Sequence, residues 1–232
     1  EATVGETVPL TATLADELGQ LIDGADVVFE TDLGVLGSQV VTRTTASGVA
    51  TATLTSEADG VATVVASAGR VTDSVSVEFQ HGAAVSVDLQ PNPETVTAGQ
   101  SVTYTLAATD TFGNAWDATD EGTYEREDGA GGSFTANVYT SQFQGTWVVT
   151  GTVDGQLDTA TLTVNPAAAV VVDLQPDPET VAAGQSVTYT LTAMDTFGNG
   201  WDATGSGAYD IDDAAGGSFT ENVYGSESAG TW

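Results

Sequence analysis

The sequence predicts an all-β protein built from tandem β-sandwich modules. Three observations carry this. Apolar and polar residues alternate with period two in many short runs, the pattern of a half-buried strand. Glycine, aspartate and proline punctuate those runs at regular intervals. The chain also repeats itself: Leu89 matches Leu174, Tyr104 matches Tyr189, Trp116 matches Trp201, Phe134 matches Phe219 and Trp147 matches Trp232, each pair 85 residues apart. A repeat of that length is one domain-sized module.

The first module is expected over residues 1–80. Val8, Leu10, Ala12 and Leu14 alternate with Thr7, Pro9, Thr11 and Thr13. A turn follows at Asp16-Glu17-Leu18-Gly19-Gln20, and another at Asp23-Gly24 before Val27 and Phe29. Ala50, Ala52 and Leu54 form one strand face, Ala62, Val64 and Ala66 a second, and Val75, Val77 and Phe79 a third. The first strand of this module is expected to be missing or cut short.

The second module is expected over residues 83–165. Val85, Val87 and Leu89 open it, and Pro91-Asn92-Pro93 breaks that strand, since proline donates no ladder hydrogen bond. Val102, Tyr104, Leu106 and Ala108 share one face of a strand. Asp110-Thr111-Phe112-Gly113-Asn114 reads as a turn. Gly129 to Gly132 is a corner before Phe134, Val138 and Tyr139. Asp154-Gly155 signals a hairpin between the strand of Trp147, Val149 and Val153 and that of Ala160, Leu162 and Val164. The third module is expected over residues 168–232, with its C-terminal strands missing. The readings of that truncation are two: a window on a longer polypeptide, or strands donated by neighbouring copies. Short linkers at Gln80–Gly82 and at Asn165-Pro166 favour a semi-rigid array. At about 3.3 Å per strand residue, three modules in line would span on the order of 100 Å.

Composition narrows the function. With 33 acidic residues, three arginines, no lysine and one histidine, the formal net charge is -30. Such a surface repels nucleic acid and anionic membranes. It fits either a halophilic or marine extracellular protein or plain solubility control. There is no cysteine, which removes disulfides, thiol catalysis and cysteine-ligated metal. No segment is long and apolar enough to span a membrane.

Residues 1–80 resemble a bacterial immunoglobulin-like (Big) domain of the invasin/intimin type. Ala12-Thr13-Leu14-Ala15-Asp16-Glu17-Leu18-Gly19-Gln20, Val27-Val28-Phe29, the run Ala46 to Ser56, and Gly60 to Ala66 carry the likeness. The repeated part is similar to immunoglobulin-like repeats of large archaeal and bacterial cell-surface proteins, on Ala98 to Tyr104, Asp110 to Asn114, Gly131 to Phe134, Asn137 to Ser141 and Gly145 to Gly151. The resemblance implies immunoglobulin-like sandwiches of about seven strands each, in a linear array whose last member is incomplete. It also implies an extracellular or cell-surface location.

Candidate sites are few. The turns at Asp110 to Asn114 and Asp195 to Asn199, with Asp117 and Asp202 nearby, offer the clustered oxygens that Ca²⁺ prefers. The competing reading, which the spacing favours, is an Asx turn joining two strands. The acidic run Asp120, Glu121, Glu125, Glu127 and Asp128 reads as a solvated loop, because its positions drift between the copies. His81 is the only histidine, so no catalytic triad or multi-histidine zinc site can be built. Trp116, Trp147, Trp201 and Trp232 would be sugar platforms if exposed, but are read as core, Trp147 and Trp232 most firmly. No enzyme activity is expected. The expected role is a structural repeat segment of a large secreted microbial surface protein: a stalk, filament, sheath or S-layer component. The expected partners are neighbouring copies or other surface proteins, by strand-edge contacts. The alternatives are an adhesive or carbohydrate-binding module, or spacer domains of a larger extracellular enzyme.

Overall fold

The computed structural model describes residues 1–231 and is all-β. It comprises two compact units. Glu1–Asp88, Leu106–Gly122 and Thr152–Asp158 form the first; Leu89–Thr105, Thr123–Gly151 and Thr159–Trp232 form the second.

Seven strands arise before residue 81: β1 (Ala2–Thr3), β2 (Thr7–Thr13), β3 (Asp26–Thr31), β4 (Val40–Thr44), β5 (Val49–Thr55), β6 (Gly60–Ala68) and β7 (Val71–Gln80). Five form one sheet in the order β1-β7-β6-β3-β4, and β2 pairs with β5. Strand β1 joins β7 in parallel, with Ala2 opposite Phe79. The alternation seen in the sequence sets the inward face. Leu10, Ala52 and Leu54 from the small sheet meet Val27, Phe29, Ala62, Val64, Val77 and Phe79 from the large one in a single buried cluster. Burying a side chain of this size is worth about 1.5–3 kcal/mol, so this cluster is what holds the two sheets face to face.

The first copy of the repeat contributes β8 (Ala84–Gln90), β9 (Glu94–Thr97), β10 (Ser101–Thr103), β11 (Thr105–Asp110) and β12 (Ala115–Asp117). It continues with β13 (Thr123–Arg126), β14 (Ser133–Thr135), β15 (Val138–Thr140), β16 (Gly145–Val153) and β17 (Gln156–Asn165). The sheet orders are β12-β11-β8, β10-β15-β14 and β13-β16-β17-β9. The single strand expected across Val102 to Ala108 is interrupted at Tyr104. There Asn137 clamps the backbone: Tyr104 N–H donates to the Asn137 carbonyl at 2.9 Å, and Asn137 Nδ2 donates to the Tyr104 carbonyl at 2.7 Å. The chain thereby passes from one sheet to another without losing backbone hydrogen bonds. Asp154 and Gly155 both have positive φ, 51° and 78°, as a two-residue hairpin turn requires.

The second copy supplies β18 (Ala169–Gln175), β19 (Ser186–Thr188), β20 (Thr190–Asp195), β21 (Gly200–Asp202), β22 (Ser218–Thr220) and β23 (Val223–Gly225). Their orders are β18-β20-β21 and β19-β23-β22. The counterparts of β9 and β13 are not strands here.

The core expectation for tryptophan is corrected. Trp116, Trp147 and Trp201 are half-buried; Trp232 lies outside the described residues. Tyr104 and Tyr139 are fully buried instead. Trp147 has inward parity on β16 but stands near the start of the strand, where Gly129 and Gly145 lie against its ring. Its Nε1 donates to the Phe143 carbonyl at 2.9 Å.

Candidate functional site

The repeated turns are where the structure concentrates its polar chemistry. In the first unit, Asp110 is 2% exposed and accepts four hydrogen bonds. Its Oδ1 accepts from the N–H groups of Phe112 and Asn114 at 2.9 and 3.0 Å. Its Oδ2 accepts from Gly82 N–H at 2.8 Å and Asn114 Nδ2 at 2.9 Å. Gly82 belongs to the linker between residue 80 and β8, so the turn holds that linker directly.

Asn114 completes the clamp. Its Nδ2 also donates to the Glu57 carbonyl at 2.8 Å, and its Oδ1 accepts from Asp59 N–H at 3.2 Å. One amide thus satisfies two acceptors and one donor, a match that only asparagine or glutamine chemistry offers. Phe112 lies over Gly5. A Cβ placed on Gly5 would stand 2.9 Å from its ring, and Gly5 has φ of +83°, so glycine is needed there twice over.

The second unit contains the same construction, shifted by 85 residues at the turn. Asp195 Oδ1 accepts from Phe197 and Asn199 N–H, and Oδ2 from Ala167 N–H and Asn199 Nδ2, all at 2.8–2.9 Å. Asn199 Nδ2 donates to the Gln142 carbonyl at 3.0 Å, and Oδ1 accepts from Gln144 N–H at 2.8 Å. Phe197 lies over Gly99, at 2.7 Å from the position of an added Cβ. Gln144 Nε2 adds a bond to the Gly200 carbonyl at 2.6 Å.

These bonds set the ionisation of both aspartates. Burial pushes the carboxyl of Asp110 up, but the Asn114 side chain and the N–H groups of Gly82, Asn114 and Phe112 outweigh it, leaving a pKa lowered to about 2. Asp195 is likewise pushed up by burial and brought down to about 2, by Asn199 and the N–H groups of Ala167, Asn199 and Phe197. Asp117 and Asp202 are lowered by their own Asx turns, onto Thr119 and Thr204.

The oxygens of these residues are turned to hydrogen-bond donors of the chain itself. A carboxylate has about four acceptor positions, and in Asp110 and Asp195 N–H donors occupy four. The Asn114 and Asn199 carbonyl oxygens are engaged as well. Asp117 and Asp202 each point Oδ1 at a different turn, 3.0 Å from Thr119 N and 2.9 Å from Thr204 N. Among the described residues no group of three or more acidic or histidine side chains could hold a metal. The bonds that Oδ1 of Asp110 and Asp195 accepts from the following N–H groups are those of an Asx turn.

Sequence reasoning singled out the turn and missed what it touches. Gly5 and Gly99, the loops Glu57 to Asp59 and Gln142 to Gln144, and the linker N–H groups of Gly82 and Ala167 carry no chemical motif. Their signal was the constancy of Asp, Phe, Gly and Asn in two copies whose acidic loops drift. His81 stacks on Trp116 with ring centroids 3.7 Å apart at 11°, and Ala84 N–H donates to Asp154 Oδ2 at 2.9 Å, so both the first linker and the start of β8 are held. In the acidic run, Glu121 Oε2 accepts from Trp116 Nε1 at 3.4 Å and Glu127 Oε2 from Val148 N–H at 3.2 Å.

The model of the bacterial Ig-like domain, group 1, matches residues 2–80. The structure of InvD from Yersinia pseudotuberculosis resembles this one with a TM-score of 0.55 and 22% identity, over 86% of this chain and 69% of InvD, which establishes the immunoglobulin-like fold. Invasin, a bacterial integrin-binding protein, aligns with a TM-score of 0.42 and 24% identity over 84% of this chain and 44% of its own. Domains 4–9 of the surface layer protein SbsC align with 0.29 and 17% over 94% and 38%. This chain therefore spans less than half of the invasin and SbsC chains. No helix among the described residues is long and apolar enough to cross a membrane.

Proposed function

We propose that this chain is a structural segment of a larger secreted microbial cell-surface protein, made of three immunoglobulin-like domains at residues 1–80, 83–165 and 168–232. Its work is mechanical: it holds what it carries at a fixed distance and direction. The observation that supports this reading is the repeated clamp, in which one Asp-Thr-Phe-Gly-Asn turn binds a linker N–H, the preceding loop and the preceding glycine, twice, with the same atoms. A binding or catalytic module has no need to reproduce its connections so closely. A segment that must transmit direction does. The charge of -30 keeps such segments from bundling through exposed strand edges.

The carbohydrate-binding reading is weaker, because Trp116 and Trp147 are already engaged, by His81 and by the glycine pair. The test uses the absence of native cysteine. Spin labels on Leu18→Cys and Leu157→Cys, both exposed and both in the first unit, report the spread of distances across the first clamp. A narrow distribution that broadens with Asn114→Asp is expected. A broad distribution in the otherwise unaltered chain overturns the mechanical reading.

A further inference from the structure

Three glycine turns in this protein have one geometry. Gly5, Gly99 and Gly184 have φ of +83°, +88° and +85°. Their N–H groups donate to the carbonyls of Ser56, Ser141 and Ser226 at 2.7, 2.9 and 2.8 Å. The residue after each glycine closes the turn: Glu6, Gln100 and Gln185 N–H donate to Thr3, Thr97 and Ala182 carbonyls, each at 3.0 Å. The serine beside the last two is held alike. Ser141 Oγ donates to the Thr97 and Gln100 carbonyls, and Ser226 Oγ to those of Ala182 and Gln185, at 2.8–3.1 Å.

Two of the three turns are covered. Phe112 lies on Gly5 and Phe197 on Gly99, whereas nothing among the described residues comes within 4 Å of a Cβ placed on Gly184. All three turns keep one geometry, so little ordering cost remains to be met on binding at Gly184. The loop beside it runs Ser226-Glu227-Ser228-Ala229, matching Ser56-Glu57-Ala58-Asp59 and Ser141-Gln142-Phe143-Gln144.

We propose that the socket at Gly184 binds the Asp-Thr-Phe-Gly-Asn turn of another immunoglobulin-like domain. The phenyl ring of that turn covers Gly184. Its asparagine amide donates to the Glu227 carbonyl and accepts from Ala229 N–H, as Asn114 does with Glu57 and Asp59 and Asn199 with Gln142 and Gln144. The partner is of the repeat type because both filled sockets hold a phenyl ring and an asparagine. The turn at Asp16 has the same backbone, with Asp16 Oδ1 accepting from Leu18 and Gln20 N–H at 2.9 Å. It presents leucine and the longer glutamine instead, and so matches the socket less well. The proposal rests on the clamp geometry; of the functional reading it borrows only that the partner is another such domain, so a cytosolic location for this protein would leave it standing.

The test is a titration of the ¹⁵N-labelled chain with a cyclic peptide of residues 107–117, closed where Ala107 faces Asp117. Saturable amide shifts confined to Gly184, Gln185 and Ser226 to Ala229 are expected. Replacing Phe112 by Ser in the peptide weakens them at least tenfold. Gly184→Asn tolerates the positive φ while filling the socket; it abolishes the shifts and preserves the rest of the spectrum. No shift at millimolar peptide, or equal shifts from the Phe112→Ser peptide, overturns the proposal. So do socket shifts that grow with the concentration of the chain alone and vanish in Leu18→Asp, which would assign the socket to a second copy.

Discussion

Among the described residues the two copies of the repeat share a sequence but differ in burial. In the first, Leu89 is fully buried; its equivalent Leu174 is 42% exposed. Tyr104 is fully buried with its hydroxyl unpaired among the described residues, and burial, with smaller contributions from Glu94 and Tyr139, raises its pKa to about 12. Tyr189 is half-buried. In the first copy Val149, Ala160, Leu162 and Val164 of β16 and β17 are buried. Glu94–Thr97 pairs in parallel with β17, whereas Glu179 to Ala182 is not a strand. Other features are the same in both copies. Phe134 meets Tyr104, Tyr124 and Tyr139 at 6.2, 5.9 and 5.1 Å, and Phe219 meets Tyr189, Tyr209 and Tyr224 at 5.9, 5.6 and 5.3 Å. Tyr139 and Tyr224 each donate to a glycine carbonyl, Gly131 and Gly216, at 2.7 Å. The aromatic cluster and the Asx clamp are therefore alike in both copies, and the burial of the leucines is not.

That contrast is sharpest at the leucines. Leu89→Ala is expected to cost about 2–5 kcal/mol in the first copy, as a fully buried deletion does, and Leu174→Ala less than about 1 kcal/mol. Amide hydrogen exchange, read copy by copy, measures both, because a single unfolding free energy is undefined for a chain with several cores. Equal effects would erase the distinction between the copies. Next come Phe134→Ala and Phe219→Ala, each expected to cost about 3 kcal/mol, and by similar amounts, since their clusters have the same geometry. A much smaller loss for Phe219 would mean that equal ring geometry does not carry equal stability.

Asn114→Asp and Asn199→Asp follow in size. Each removes two donors and sets a carboxylate beside a buried one, at about 2 kcal/mol. The exchange of Asp59 N–H should quicken in the first variant alone and that of Gln144 N–H in the second alone. The smallest effect is that of acid. Asp110 and Asp195 have folded pKa values below the ordinary 3.8, so their contribution is present above that value and is lost as pH falls toward about 2. Both clamps should loosen together between about pH 4 and pH 2, and nuclear magnetic resonance titration of Phe112 and Phe197 amides would follow it. Loosening above pH 5 would contradict the assignment of the aspartates.

Much of this was legible in the sequence, and the gaps have physical causes. Period-two runs such as Val8 to Ala12 and Ala50 to Leu54 announced paired strands, because alternation is imposed by the pleat. Asp154-Gly155 announced its hairpin. The break at Tyr104 was hidden, because apolar parity runs unbroken through Val102, Tyr104 and Leu106 while Asn137, a residue far along the chain, decides where the strand changes sheet. Trp147 misled for a related reason: parity tells which face a side chain takes, not whether the opposite sheet reaches that far along the strand. The Asx turns were visible as turns, but their partners were backbone atoms of Glu57, Asp59, Gly82, Gln142, Gln144 and Ala167, which no side-chain pattern marks.

The central claim is that each Asp-Thr-Phe-Gly-Asn turn clamps its own linker. Hydrogen exchange at the two linker amides tests it most directly. Gly82 and Ala167 N–H should both be protected in the unaltered chain, with Asp110→Ala releasing Gly82 alone and Asp195→Ala releasing Ala167 alone. Exchange of both amides at the rate of an unstructured peptide in the unaltered chain would contradict the account.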